Sequence, residues 1–427
     1  MIRILVLAAV LWQAARLDAQ PQPLALSLEE AERLAIQNNP QFASARFTAE
    51  AAAQVPTEYR AGLYPTLTGA VTGVGADSGS RLAAGALNNP VVFNRLGTGV
   101  SVNQLVTDFG RTGNLIESAK LRAEAQDQGT ETARANILIA TVRAYFSVLR
   151  ARSVLTVAEQ TVSARRLVSD QVTALANSNL KSQLDVSFAN VNLADAQLLL
   201  AQAQNEIKGS EATLAAALGL PQQASFMLQD QPMPTAVPTS ADLLVAQALQ
   251  DRPELKDLRL QQSSAERLAK AEHALSYPTI AIAGAAGFAP AADTAVPNRY
   301  GAVGVNLSIP VFNGGLFRAR QTEAELKARI AYENVNDLAN RITRDVRVAY
   351  LNAQTAYERV GLTDQLLKQT RLALDLARSR YDLGLSSIVE LSQAQLNLTS
   401  AQIASASARY DYQTQQALLQ YQIGALR

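Results

Sequence analysis

Residues 303–315 read Val303-Gly304-Val305-Asn306-Leu307-Ser308-Ile309-Pro310-Val311-Phe312-Asn313-Gly314-Gly315, and this stretch decides the fold. Val303, Val305, Leu307 and Ile309 alternate with Gly304, Asn306 and Ser308, the two-residue period of a strand with one apolar and one polar face. Pro310 to Gly315 break the strand. From Gly315 to Leu383 there is no proline, and the only interior glycine is Gly361. A helix of about seventy residues follows, about 100 Å long at the usual rise. Very few globular domains have room for such a rod.

The rod carries a seam. Val346, Ala349, Ala353, Ala356, Val360, Thr363, Leu367, Thr370, Leu374, Ala377 and Tyr381 recur at alternating spacings of three and four. This heptad pattern argues for a coiled-coil partner, and its small residues allow close helix approach. An Ala-rich helix of an ordinary bundle would show the same heptads. The apolar strand joined directly to the rod weighs against that.

Working outward, the chain is written twice. Asn39-Pro40 recurs as Arg252-Pro253 and Tyr64-Pro65 as Tyr277-Pro278, at an offset of 213. Ala144-Tyr145 recurs as Ala349-Tyr350, Asp185 as Glu390, and Leu218-Gly219 as Ile423-Gly424, at an offset of 205. Leu105 recurs as Ile309 at an offset of 204, so the first copy holds about nine extra residues between Pro65 and Gly97, in a Gly-, Asn- and Ser-rich loop. Each copy opens on a helix, in the first with the capping-box pair Ser27 and Glu30. Two strands follow, near residues 66–76 and 98–107, then 279–288 and 302–311. A long helix comes next, a break at Asn177-Ser178-Asn179 or Leu383-Gly384-Leu385, and a return helix. The division expected is a signal peptide over 1–19, a first repeat over 20–228, a Pro-rich linker over 229–239 and a second repeat over 240–427.

The 427 residues are 48% hydrophobic but only 5% aromatic, so the core must be built from Ala, Leu and Val. With no cysteine there is no disulfide, thiolate nucleophile or lipid-modified N-terminal cysteine. A net charge of +1 without a basic block gives nucleic-acid binding no electrostatic support. Arg3, the apolar run Ile4 to Trp12 and Leu17-Asp18-Ala19 form an export signal, with cleavage expected after Ala19. No later segment is long and apolar enough for a membrane helix, so any crossing must use strands. Each strand has the length of about ten residues that a tilted bilayer crossing needs. Tyr64, Phe109, Tyr277 and Phe312 lie at their helix-side ends, and Phe93, Phe288 and Tyr300 lie towards the loops, as in an interfacial aromatic girdle. Four strands do not close alone, and lipid does not tolerate open edges, so several protomers would complete one barrel.

The duplication, the Asn-Pro and Tyr-Pro elements, Ile309 to Gly315, Tyr381-Asp382-Leu383-Gly384, and Ile388-Val389-Glu390-Leu391 with Gln393-Ala394-Gln395 together resemble the TolC family of outer-membrane efflux proteins. The resemblance implies a mainly α fold with transmembrane β. Long coiled-coil helices form an α-barrel, and four strands per protomer contribute to a 12-stranded barrel in a homotrimer. It implies an outer-membrane location reaching into the periplasm, contact with outer-membrane lipid, a periplasmic adaptor (membrane fusion) protein and an inner-membrane pump.

The resemblance also implies a gate at the periplasmic tip, where an Asp pairs across helices with a Tyr and an Arg. Asp185 and Tyr381 stand at matching positions, but Ser386 replaces the Arg, which removes a bidentate link to carboxylate. Lys181 is a candidate substitute, beside its reading as a solvated lysine. Glu390 and Gln393 match two acidic constriction positions, so a trimer would present three carboxylates rather than six; Glu390 also reads as a charge near a helix start. Asn179 and Gly384 hold the hairpin tips. The single histidine, His273, reads as a surface residue, and Thr107-Asp108-Phe109-Gly110 as a strand-to-helix joint rather than a kinase metal motif. No catalytic constellation, metal cluster or cofactor motif is visible, so an enzyme is not expected. The competing reading is a soluble periplasmic coiled-coil scaffold or adaptor, which would bury Val303, Val305, Leu307 and Ile309 in protein.

Overall fold

A computed structural model of the chain describes residues 24–75, 95–220, 226–236, 240–289 and 297–426. The signal peptide, Phe93 and the loop tip over 77–94 lie outside the described residues, as do linker residues 237–239.

In chain order the elements are β1 (Leu24–Leu26), α1 (Leu28–Asn38), α2 (Pro40–Ala52), α3 (Val55–Ala61), β2 (Thr66–Val74), β3 (Arg95–Thr107), α4 (Arg111–Asn177) and α5 (Gln183–Ala217). Then come β4 (Phe226–Leu228), α6 (Ala241–Asp251), α7 (Pro253–His273), β5 (Thr279–Phe288), β6 (Arg299–Ser308), α8 (Leu316–Asp382) and α9 (Ile388–Gln422). The long helices α4 and α8 have 67 residues each, and the return helices α5 and α9 have 35 each. The 205-residue offset read from side chains is therefore also the offset of these helix ends. Strand β6 stops at Ser308 rather than at Val311, because Pro310 has no N–H to give a ladder. Asn39 and Arg252, each before a proline, are extended, so one helix ends and the next begins on Pro40 or Pro253.

The chain divides into two compact units. One comprises residues 1–44, 131–253 and 340–427. A core cluster there gathers Ala31 and Ala35 of α1, Val142, Tyr145, Phe146, Val148 and Leu149 of α4, Leu214 of α5 and Leu218 just after it, and Phe226 and Leu228 of β4. Strand β1 pairs in parallel with β4 across this core. The Tyr145 hydroxyl lies within hydrogen-bonding reach of two strap carbonyls, Gln229 O at 2.6 Å and Leu26 O at 3.1 Å. Arg152 Nη2 donates to Phe226 O at 2.6 Å. Burying the tyrosine without such acceptors would cost about 1–3 kcal/mol. The predicted seam of α8 is buried or half-buried from Val346 to Tyr381.

The other unit comprises residues 45–130 and 254–339. Its antiparallel sheet has the order β2-β3-β5-β6, so β2 and β6 are its edges. Val303 and Val305 are 80% and 72% exposed, and Leu67, Val71, Val100, Leu307 and Ile309 are exposed too. Tyr64, Phe109, Tyr277, Phe288, Tyr300 and Phe312 all stand open at the strand ends. Gly99 and Gly287 let the Tyr300 side chain lie against the sheet, since a Cβ at either would collide with its hydroxyl. Asp108 caps α4: its Oδ2 accepts from Thr112 N–H at 2.7 Å and from the Thr112 hydroxyl. Ser118 and Ser264 exchange hydroxyl-to-carbonyl hydrogen bonds of 2.9 and 2.8 Å, holding α4 and α7 close.

Candidate functional site

The predicted tip residues lie on two hairpin turns of the first unit. Asn179 has φ +58° and Gly384 φ +71°, the left-handed conformation that only Gly and Asn enter readily. In the first turn Leu180 N–H donates to Leu175 O at 2.9 Å and Asn179 N–H to Ala176 O at 2.9 Å. In the second, Leu385 N–H donates to Arg380 O at 2.8 Å and Gly384 N–H to Tyr381 O at 3.1 Å. Each closes its long helix by the same pair of bonds, which satisfies carbonyls left open at a helix end. Ser182 and Ser387 then cap the return helices.

The side chains on these matched backbones differ. Asp185 Oδ2 accepts from the Ser182 N–H at 3.0 Å and from its hydroxyl at 2.8 Å, completing a capping box. Its carboxylate is turned to its own helix. Glu390 donates its N–H to Ser387 Oγ at 3.4 Å, but its carboxylate leaves the cap for Arg380 Nε at 3.3 Å. Leu175 stands at the Arg380 position of the first copy, so nothing draws Asp185 away. Gln393 Nε2 donates to Asn397 Oδ1 at 3.0 Å, one turn along its own helix.

Tyr381 is 6% exposed, packed among Val172, Val186, Ala189, Ile388 and Leu391. The Lys181 ammonium lies 3.8 Å from its ring centroid, a cation–π contact between the two hairpins. The structure thus brings Tyr381 to Lys181. The tyrosine hydroxyl and the buried Ser386 Oγ have no hydrogen-bond partner. Burial pushes the Tyr381 pKa up, and the charges of Asp185 and Asp382 push it the same way. A further link unforeseen from sequence is Asn192 Nδ2 donating to Ser392 Oγ at 2.7 Å, between α5 and α9. The Arg380–Glu390 pair was equally unforeseen, although both residues flank one turn. His273 is exposed, with Nε2 3.3 Å from the Tyr277 hydroxyl.

The family model for outer membrane efflux proteins matches residues 32–220 and 244–425. The chain belongs to that family. Outer membrane protein TolC of Escherichia coli is 24% identical over 425 residues, covering 94% of this chain and 84% of that one. The alkaline protease secretion protein AprF of Pseudomonas aeruginosa is 23% identical over 420 residues, with 94% and 85% covered. The outer membrane protein VceC of Vibrio cholerae superposes with a TM-score of 0.78 at 18% identity, covering 93% of this chain and 96% of that structure, which shows the shared fold. Membership makes this an outer-membrane protein of efflux channels, mainly helical with a few strands, rather than a member of an enzyme family. Among the described residues no helix is long and apolar enough to cross a membrane.

Proposed function

We propose that the protein is a passive exit duct of a tripartite efflux or type I secretion system, opened when an inner-membrane pump and a periplasmic adaptor engage it. The observation that carries this reading is the open sheet: β2 and β6 leave unpaired edges beside exposed Val303, Val305, Leu67 and Val71. In lipid such edges must be paired, and the TolC resemblance sets three copies as the number that closes twelve strands. The same faces argue against a soluble scaffold. The return helices support assembly too. Leu184, Val191 and Leu198 on α5, with Val389 and Leu396 on α9, are exposed at seven-residue spacing, a second seam for a neighbouring copy. The repeats over 20–228 and 240–427, joined by the linker 229–239, would each supply two strands and one helical hairpin.

The tip would be the gate. Tyr381, held beside Lys181 and above the turns at Asn179 and Gly384, couples the hairpins, and opening swings α8 and α9 outward. Asp185, Ser386, Glu390 and Gln393 would line or flank the constriction, with exposed Leu180, Leu383 and Leu385 offered to the adaptor. Transport needs no cofactor, since the pump supplies the energy.

The test is membrane fractionation with unheated and heated samples on a denaturing gel, followed by planar-bilayer recording. An outer-membrane species at three times the heated mass, conducting ions, is expected. A soluble periplasmic monomer would refute the duct.

A further inference from the structure

The register of the larger sheet sorts its side chains onto two faces, because successive residues of a strand point opposite ways. One face carries Val71, Val100, Ile282, Val303, Val305 and Leu307. The other carries Thr68, Ser101, Asn103, Ala283, Ala302 and Asn306, all small or polar. At the loop ends of β5 and β6 the two aromatics part company. Phe288 pairs with Thr98 and Arg299 and so shares the face of the valines. Tyr300 pairs with Gly287, which pairs in turn with Gly99, and lies on the opposite face. A girdle turned wholly to lipid would need both on the valine face.

The Tyr300 side chain runs along its row of glycines rather than standing off the sheet. A Cβ at Gly287 would come 2.5 Å from the Tyr300 hydroxyl and 2.6 Å from its Cζ, and one at Gly99 would meet the same hydroxyl. The side chain therefore crosses β5 and ends beside β3. Backbone covers one side of the ring, and Tyr300 is still 48% exposed. Among the described residues of β5, β6 and β3 from Gly97 to Leu105, this face holds no other aromatic and no charged group.

We propose that Tyr300 belongs to the inner wall of the channel, near its outer mouth, and that its open ring face is a stacking platform for planar aromatic solutes leaving the duct. Offset stacking on a tyrosine needs no charge, and an aromatic cation gains attraction to the π-face as well. The two glycines give the ring room to lie flat, so it offers this contact while projecting little into the passage. The proposal rests on the duct reading, since only a closed barrel makes the second face an interior.

The first experiment locates the side chain. Phe288→Trp and Tyr300→Trp each give the exported chain its only tryptophan, because Trp12 lies in the export signal. In vesicles of brominated phosphatidylcholine, with acrylamide as the aqueous quencher, bromine should quench the Phe288→Trp variant and acrylamide the Tyr300→Trp variant. Bromine quenching of both would overturn the wall assignment and leave the duct standing. Bromine quenching of neither would refute the membrane sheet, and the wall with it. Heat-dependent gel mobility checks that each variant assembles. Should the indole block assembly, Tyr300→Cys provides the chain's only cysteine, and a charged maleimide should label it; failure to label would overturn the assignment. The second experiment adds ethidium on the loop side of a planar bilayer. It should interrupt the potassium chloride current of the wild-type channel, with an affinity about tenfold lower in Tyr300→Ala and retained in Tyr300→Phe. Equal interruption in Tyr300→Ala, or none in the wild type, would overturn the platform. The quenching needs no current, so failure of the duct to conduct is read separately.

Discussion

The two hairpin tips are the same backbone carrying different side chains. Both end a 67-residue helix on a left-handed residue and start a 35-residue helix on a capping serine. At the first tip the acidic residue, Asp185, closes its own cap; at the second, Glu390 is drawn off by Arg380. The first copy's Ala176 is Tyr381 in the second, and the second copy's Ser386 is Lys181 in the first. Those two departures from repetition meet in the cation–π contact. Backbone geometry is therefore what the duplication keeps, and the contact between hairpins is built where the copies diverge.

The largest expected effect is at that contact. Tyr381→Ala should lower the local opening free energy of the tip by about 3 kcal/mol, the cost of emptying a buried aromatic site. Tyr381→Phe, which removes only an unpartnered hydroxyl, should be neutral or slightly stabilising. Hydrogen exchange across residues 172–189 and 377–391 reads both, and a large loss in the phenylalanine variant would mean the hydroxyl has a partner after all.

Next comes the turn itself. Gly384→Val forces a branched side chain into φ +71° and should cost about 1–2 kcal/mol through strain alone, since open space surrounds the Cα. Asn179→Gly should change the first tip by a few tenths. A cost of only a few tenths for Gly384→Val would break the backbone equivalence.

The caps separate the tips further. Asp185→Ala should destabilise the start of α5 by about 1 kcal/mol. Glu390→Ala removes only an exposed ion pair and should cost about 0.5 kcal/mol or less, fading with added salt. Amide exchange of the first turns in low and high salt distinguishes them. Lys181→Met should cost a comparable 0.5–1 kcal/mol if the ammonium acts through the ring, and Lys181→Arg should restore the loss.

The smallest effect is a pH dependence. Tyr381 has a folded pKa above its usual value, so the neutral phenol is the form the fold favours. Its contribution is fully present below about pH 10 and is lost as pH rises through the folded value. The tip should loosen in strongly alkaline buffer, with Lys181, Asp185 and Asp382 as the charges around the ring. Tyr381→Phe should lose that part of the alkaline response, measured by exchange between pH 9 and 11 with references corrected for intrinsic rate.

The long helices, the four strands of the larger sheet and their repetition were legible from the chain alone, whereas the short pair β1–β4 and the division of each opening helix into two or three were not. Helix ends are written locally, by prolines at Pro40 and Pro253, by serine caps and by residues that enter the left-handed region. The α8 seam was legible because burial on a helix follows a fixed period, and the strands because apolar alternation and aromatic ends need no knowledge of partners. Tertiary structure decided where polar side chains point. Asp185 and Glu390 hold equivalent positions, yet their carboxylates part because only one has an arginine across the turn. Lys181 and Tyr381 are 200 residues apart in the chain. Arg165 reads as an ordinary charged position of a long helix, yet folding leaves it only 4% exposed. Such choices depend on which groups compete for one acceptor in space, and spacing along a chain does not encode that competition.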